Sequence, residues 1–178
     1  MFDAVGSKAV VNQETNGSTI GFISYISEGR TYRGGLLIVD LDGDPVDFAH
    51  TAPVKLNRVT RPLFGDRFPG YLVGHVLAQP LVNWIDTKPD VLCFDDAGIL
   101  VRPVSLQLPL ALLAPEGAVR NARWSRLDFG RGDDANETWL ADAQAREILQ
   151  KASARFAPCL LSEPFERLRA ALHEVGLE

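Results

Sequence analysis

The apolar residues in the first third of the chain fall into short runs typical of β-strands, and in residues 45–50 apolar and polar positions alternate. Glu28-Gly29-Arg30 and Asp42-Gly43 supply turns between these runs. Three runs, rich in β-branched and aromatic residues, span residues 19–27, 31–40 and 45–50. We therefore predict a three-stranded antiparallel meander over residues 19–50, preceded by a flexible arm or an edge strand in residues 1–17.

The middle of the chain predicts one helix and one buried strand. Apolar residues recur near helical spacing over residues 71–86, with a kink expected at Pro80. Residues 57–70 are rich in proline and glycine and predict a loop with one helical turn. Val91–Phe94 is short and wholly apolar, as is typical of a strand buried on both faces. Residues 99–114 are interpreted as one or two further strands because prolines interrupt an apolar run.

The last third predicts a polar connection followed by two helices. The connection covers residues 115–137, and the first helix covers residues 138–155. Ser162 is a suitable N-cap for the second helix, from Glu163 to Val175. Its inner stripe consists of Phe165, Leu168, Leu172 and Val175. The predicted fold is α/β, with a mixed sheet that begins with the meander and two C-terminal helices.

Composition and charge narrow the class of protein. A chain of 178 residues with 46% apolar and 23% charged residues fits a single globular domain, residues 1–178, whose C-terminal part from residue 138 is helical.

We find no apolar run long enough to span a membrane and no secretory signal, and two cysteines make no disulfide framework, so a cytoplasmic location is expected. The net charge of −5 opposes autonomous binding of nucleic acid, which we expect only through a complex. The nearby Arg58, Arg61 and Arg67 are interpreted as solvated surface.

An aspartate-rich turn follows the second predicted strand. The segment LLIVDLDGDPVD, residues 36–47, resembles the first motif of the haloacid dehalogenase superfamily of phosphatases. That resemblance implies Asp40 as nucleophile and Asp42 as general acid/base beside Mg²⁺. The sequence has Asp44 where the family has threonine, and a hairpin turn explains Asp42-Gly43 without chemistry. A calcium loop is excluded because Thr51 occupies its twelfth position, where the bidentate glutamate belongs.

A second resemblance covers residues 19–105. Its residues are Phe68-Pro69-Gly70-Tyr71-Leu72, Lys88-Pro89-Asp90, Asp95-Asp96-Ala97-Gly98-Ile99 and Arg102-Pro103. These short segments, in this order, resemble the endonuclease V family, which has a ribonuclease H-like fold. The resemblance implies that fold and a metal-dependent site of carboxylates. The meander predicted upstream fits the first half of the same fold.

The departures from this family fall on its catalytic positions. The family's first-strand aspartate aligns near Ser24, and its helical glutamate aligns near Gly74 or His75. Only Asp95 keeps a family catalytic position. A two-metal phosphodiester site needs several carboxylates around ions about 4 Å apart. Such a site therefore requires Asp40, or an acid from residues 128–137, to converge on Asp95.

Three functions remain open from the sequence. The favoured one is a catalytically degenerate nuclease-like scaffold, acting as a non-catalytic subunit or accessory protein with a protein partner. The second is an active metal-dependent phosphodiesterase or phosphatase that uses Asp95, Asp96 and Asp40 with Mg²⁺. The third is a small-molecule or peptide-binding module formed around residues 101–115. No zinc-ligand spacing, phosphate-binding loop or nucleophile elbow is present, and Cys93 is interpreted as an inert core thiol.

Overall fold

The computed structural model describes residues 5–10, 17–101, 106–115, 125–127, 137–153 and 162–176. Within these ranges nine strands form one mixed sheet in the order β1-β4-β3-β2-β6-β7-β9-β8, with β5 paired to β3 off this path. The strands are β1 (Val5–Val10), β2 (Ile20–Glu28), β3 (Thr31–Val39), β4 (Pro45–Thr51), β5 (Val54–Lys55), β6 (Val91–Phe94), β7 (Leu110–Pro115), β8 (Ser125–Leu127) and β9 (Glu137–Ala141).

Helices occupy three parts of the described chain. The middle part is nearly continuous and comprises α1 (Thr60–Phe64), a 3₁₀ turn (Gly65–Arg67), α2 (Phe68–Tyr71), a π-helical stretch (Leu72–Ala78) and α3 (Gln79–Trp84). The other helices are α4 (Gly98–Val101), α5 (Ala143–Ser153) and α6 (Glu163–Glu174). Among the described residues, no helix combines the length and the apolar character needed to cross a lipid bilayer.

The predicted meander is confirmed as the N-terminal part of the sheet. Strand β2 pairs antiparallel with β3 through all nine of its residues, and β3 pairs antiparallel with β4. On its other side β2 pairs in parallel with β6, and β6 pairs in parallel with β7. All four residues of β6 are fully buried, which confirms the prediction of a central strand. For residues 1–17 the sequence predicts either a flexible arm or an edge strand. The structure has an edge strand there, because β1 pairs antiparallel with β4.

The sheet is covered on both faces. On one face α6 lies across β2 and β3, with the Phe22 and Phe165 rings in edge-to-face contact at 5.1 Å. A Cβ atom at Gly35 would lie 2.7 Å from Leu168 Cδ1, so this glycine permits the close approach of α6. On the opposite face the helical segment 60–84 packs on the same strands, where a Cβ at Gly34 would lie 2.8 Å from Leu77 Cβ. Three residues of the predicted inner stripe are buried in α6, namely Phe165, Leu168 and Leu172, while Val175 follows the helix and is partly buried against the same cluster.

Two sequence predictions about the C-terminal half are wrong. Residues 138–141 belong to strand β9, which pairs antiparallel with β7, and the helix begins only at Ala143. The reason is Asp142, whose carboxylate accepts hydrogen bonds from the amides of Ala145 and Leu110, each at 2.9 Å. One side chain thus caps α5 and ties it to the sheet. The predicted connection also contains a strand, β8, while residues 116–124 and 128–136 lie outside the described residues.

Two further differences involve proline. The helical segment begins at Thr60 rather than near residue 71, because Pro62 and Pro69 lie in the first turns of α1 and α2, where an amide donor is not needed. Residues 98–101 are helical, and the strand predicted within 99–114 begins only after Pro109. Pro80 lies in the first turn of α3, directly after the π-helical stretch.

Candidate functional site

The candidate site lies where the parallel strands β2 and β6 end side by side. Ile23 of β2 is paired with Phe94 of β6, so Ser24 comes level with Asp95, the first residue after β6. The acid is there because β6 is a short apolar strand whose C-terminal end meets solvent. Carboxyl ends of parallel strands meet at one edge of a sheet, which is where α/β proteins place their sites.

Asp95 points to the face of the sheet that α6 covers. Its carboxylate Oδ2 accepts a hydrogen bond of 2.8 Å from the Ser24 hydroxyl and a second one from the Arg169 guanidinium of α6. The Asp95 side chain is 11% exposed and the Arg169 side chain 44% exposed. Burial raises the pKa of Asp95 above its ordinary value, and the charge and hydrogen bond of Arg169 and the Ser24 hydroxyl oppose that rise. The acid is therefore held by an internal cation.

Asp96 points to the opposite face. Its Oδ2 accepts a hydrogen bond of 3.0 Å from the Tyr25 hydroxyl, and its Oδ1 accepts one of 2.7 Å from the Gly98 amide at the start of α4. Burial and the Asp96 carboxylate raise the pKa of Tyr25, so the phenol stays a neutral donor. Asp96 thus acts as a cap for the turn that follows β6.

The two adjacent acids are separated by the sheet itself. Successive side chains at a strand end point to opposite faces, and here each carboxylate has its own donors. Ser24 and Arg169 hold Asp95, whereas Tyr25 and Gly98 hold Asp96. The structure therefore does not bring Asp95 and Asp96 together around one point.

Asp40 lies at the other end of the sheet. Val39 pairs with Ile20 at the start of β2, whereas Asp95 lies level with Ser24. This offset corresponds to about 16 Å along the strand direction. Asp40 Oδ1 accepts hydrogen bonds from the Asp42 and Asp44 amides at 2.9 and 3.0 Å, so it holds the hairpin turn predicted at Asp42-Gly43. The structure does not bring Asp40 to Asp95.

The helix facing the site carries no carboxylate at the aligned positions. Gly74 is buried within the π-helical stretch, and His75 accepts or donates a hydrogen bond with Gln79 at 3.3 Å between Nδ1 and Oε1. Pro69 and Gly70 of α2 instead pack against α4, where a Cβ at Gly98 would lie 2.3 Å from Pro69 Cβ. The segment that resembles the family motif therefore closes over the Asp96 side of the strand end.

These residues do not fit a pair of magnesium ions. Asp95 offers one carboxylate, and its Oδ2 is already bonded to a guanidinium and a hydroxyl. In the described part of the chain, no three His, Cys, Asp or Glu side chains are grouped so that they could hold a metal ion. The acids of residues 128–136 that the sequence offered as companions lie outside the described residues, as does the side chain of Glu137.

The sequence missed two members of the site. Tyr25 follows Ser24 in β2, but its role depends on the parallel register with β6, which no local pattern specifies. Arg169 follows Leu168 in α6, and its contact with Asp95 joins residues 74 apart in the chain. The helical stripe did place Arg169 beside the buried face, and that was the available signal.

Comparisons with known proteins identify the fold. No protein-family model matches the chain, and no curated protein matches it. Human ENDOV matches in structure with a TM-score of 0.52 and 16% sequence identity, covering 94% of this chain and 93% of that one. Endonuclease V from Bacillus subtilis has a TM-score of 0.49 at 12% identity, covering 94% and 88% of the two chains. Endonuclease V from Streptomyces avermitilis has a TM-score of 0.48 at 14% identity, covering 98% and 89%.

The fold prediction made from the sequence is confirmed. The central order β4-β3-β2-β6-β7, with an antiparallel meander and two parallel strands, is accompanied by structural similarity to human ENDOV. Sequence identity at this level supports the fold alone. The chain therefore has a ribonuclease H-like α/β fold and a weak structural resemblance to endonuclease V.

Proposed function

We propose that this protein is a catalytically degenerate nuclease-like scaffold that acts as a non-catalytic subunit or accessory protein of a larger assembly. The observation that carries the proposal is the bonding of Asp95, the acid that aligns with a family catalytic position. Its carboxylate is bonded to Arg169 and Ser24, so a fixed cation of the chain itself neutralises it.

The neighbouring positions support the same conclusion. Ser24 occupies the place where the family resemblance puts a second carboxylate, and its hydroxyl is a donor to Asp95. A hydroxyl and a guanidinium together stabilise one buried carboxylate, whereas a two-metal centre needs several negative ligands. The partner is a protein, and nucleic acid is reached through the complex. A cytoplasmic location stays a prediction.

The two alternatives have less support from the described residues. The phosphatase interpretation needs Asp40 and Asp42 at a catalytic strand end, but Asp40 holds a hairpin turn far from Asp95. The small-molecule module was placed at residues 101–115, of which 102–105 lie outside the described residues. In the described part of that region, the core contains the buried residues Leu110, Ala111, Leu112 and Ala114 of β7, and three partly buried residues, Leu106, Leu108 and Leu113, pack against it.

A cleavage assay tests the proposal. The purified chain is incubated with Mg²⁺ or Mn²⁺ and with labelled single-stranded RNA, duplex DNA and a DNA that contains an inosine followed by a ribo-adenosine, the kind of DNA bound in a Ciona intestinalis endonuclease V structure. An endonuclease V enzyme is the positive control. We expect no cleavage above that of the Asp95→Asn variant. Metal-dependent cleavage that is lost in Asp95→Asn would overturn the proposal in favour of an active nuclease.

A further inference from the structure

The strongest unassigned feature is an exposed apolar pair on the helical turn around α1. Val59 is 54% exposed and Leu63 is 78% exposed, and these are the large apolar side chains that the described residues leave exposed. The Leu63 amide donates a hydrogen bond of 3.0 Å to the Val59 carbonyl, so the two side chains lie one turn apart on the same helix face. Burying such a pair is favourable when a partner covers it.

The turn that carries the apolar pair is packed against the helical segment that follows it. The Phe64 ring stacks on Tyr71 with centroids 3.9 Å apart and planes 15° from parallel. Phe64 also packs on a small buried cluster that contains Phe68 and Leu72. The Asn57 carboxamide accepts a hydrogen bond from the Val59 amide at 3.3 Å, which fixes the start of the turn. Val59 and Leu63 therefore project from an anchored turn.

The segment that carries the apolar pair is rich in positive charge. Four exposed cations lie within residues 55–67, namely Lys55, Arg58, Arg61 and Arg67, against the single acid Asp66. The whole chain carries a net charge of −5, whereas this segment has more basic than acidic residues. Within the described residues none of the four cations forms an ion pair with a carboxylate. The Arg61 guanidinium lies over the Phe68 ring, with Cζ 5.8 Å from the ring centroid. Cations that have no carboxylate partner, in the same segment as exposed apolar side chains, complement negative charge on a binding protein.

We infer that residues 55–67 form a docking surface for an acidic protein segment that carries aliphatic or aromatic anchor residues. The apolar groups favour a protein over a nucleic acid. Single-stranded nucleic acid needs free aromatic faces on which bases stack, but the exposed groups are aliphatic and the Phe64 and Tyr71 faces are turned to each other. An amphipathic acidic helix would place its apolar stripe on Val59 and Leu63 and its carboxylates near the arginines.

The inference goes beyond the proposed function and does not depend on it, since the surface lies on a different element from Asp95. The probe is a fluorescein-labelled peptide of about 16 residues, rich in glutamate with leucines at helical spacing. Fluorescence anisotropy measures its binding to the full chain at two salt concentrations. Matched probes are the same peptide with every leucine replaced by serine, the same peptide with lysine for glutamate, and a labelled single-stranded DNA.

We expect the acidic leucine peptide to bind in the micromolar range, and the Leu63→Ser and Arg58→Glu/Arg61→Glu variants each to weaken it by about tenfold or more. Lys151→Glu, a charge reversal on exposed α5, should leave binding unchanged. Absence of binding, equal binding of the serine peptide, or tighter binding of the DNA would overturn the inference. Asp95→Asn should bind the peptide as the wild type does. A loss of peptide binding would therefore overturn the docking surface alone, whereas cleavage of nucleic acid would overturn the proposed function alone.

Discussion

The Ser24 hydroxyl donates a hydrogen bond of 2.8 Å to the Asp95 carboxylate across two parallel strands. Ser24 is only 2% exposed, so this hydroxyl lies inside the sheet edge rather than in solvent. A serine suits this place because it adds a donor, whereas an acid would add a second buried charge. With Ser24 at this position, the carboxylate of Asp95 gains a neutral donor and no second negative charge.

The first prediction concerns Ser24→Asp. A second carboxylate against Asp95 should lower the free energy of unfolding at neutral pH by about 2–4 kcal/mol. Combining it with Arg169→Ala removes the competing cation, and millimolar Mn²⁺ should then raise the melting temperature of the double variant. Differential scanning fluorimetry with and without Mn²⁺ measures both effects. Ser24→Ala is the control and should show no response to metal. An equal response of the wild type would contradict the prediction.

The second prediction concerns the effect of Asp95 on how the free energy of unfolding varies with pH. Burial raises its pKa above the ordinary 3.8, so the native state holds the proton more tightly than the unfolded state. Stability contributed at this site is therefore fully present below the unfolded pKa and is lost as the pH rises through the native pKa. The stability of the wild type relative to Asp95→Asn should fall over that range in urea unfolding experiments.

Removing the Arg169 guanidinium should make the free energy of unfolding fall more steeply with rising pH. In Arg169→Met the buried carboxylate keeps the Ser24 hydroxyl but loses its cation, so the pKa of Asp95 should rise further. Because Arg169 is partly exposed, we expect a loss of about 1–2 kcal/mol at pH 7 and little loss at pH 4. Arg169→Lys keeps the charge and should lie between the two. An identical loss at both pH values would show that Arg169 acts through packing instead.

The third prediction concerns Cys93, which is fully buried in β6. Desolvation raises the pKa of its thiol, so the native protein presents no thiolate to a reagent. In a Cys159→Ser background, we expect a thiol-specific reagent to label Cys93 only as fast as the protein opens or unfolds. Labelling in denaturant supplies the reference rate. Rapid labelling of the native protein would show that the β2–β6–β7 region opens locally.

The fourth prediction concerns the contact between α2 and α4. A Cβ at Gly98 would lie 2.3 Å from Pro69 Cβ and 3.0 Å from the Gly70 amide nitrogen, so either the backbone or the ring must move. Gly98→Ala should lower the free energy of unfolding by about 1–3 kcal/mol. Gly17→Ala is the matched control, because a Cβ there has nothing within 4 Å. Equal melting temperatures for the two variants would contradict such a close approach of these helices.

Features set by residues close together in the chain are predictable from the sequence, whereas features set by contacts between distant residues are not. The meander and the α6 stripe follow from local alternation and helical spacing, and both are confirmed by the pairing of β2 with β3 and the burial of Phe165. The apolar character of Trp139 and Leu140 suits a helix as well as a strand, so the helix that the sequence predicts over these residues is wrong. Their place in β9 is decided by pairing with β7, which is distant in the chain.

The acids of the site are predictable from the local sequence, but their partners are not. Asp95 and Asp96 stand out after an apolar strand, and Ser24 could be aligned with a catalytic position through the family resemblance. The partner of Asp95 could not be found, because Arg169 reaches it only once α6 has docked on Phe22 and Gly35. Tertiary docking therefore supplies the residue that determines the charge of the site.

The packing of α6 on the sheet limits how Asp95 can become exposed. The same helix that carries Arg169 also seals the apolar face over β2 and β3 through Phe165, Leu168 and Leu172. Freeing the acid by displacing α6 would strip the hydrophobic covering from two central strands at once. Exposure of Asp95 by this route is therefore coupled to the loss of hydrophobic packing on β2 and β3.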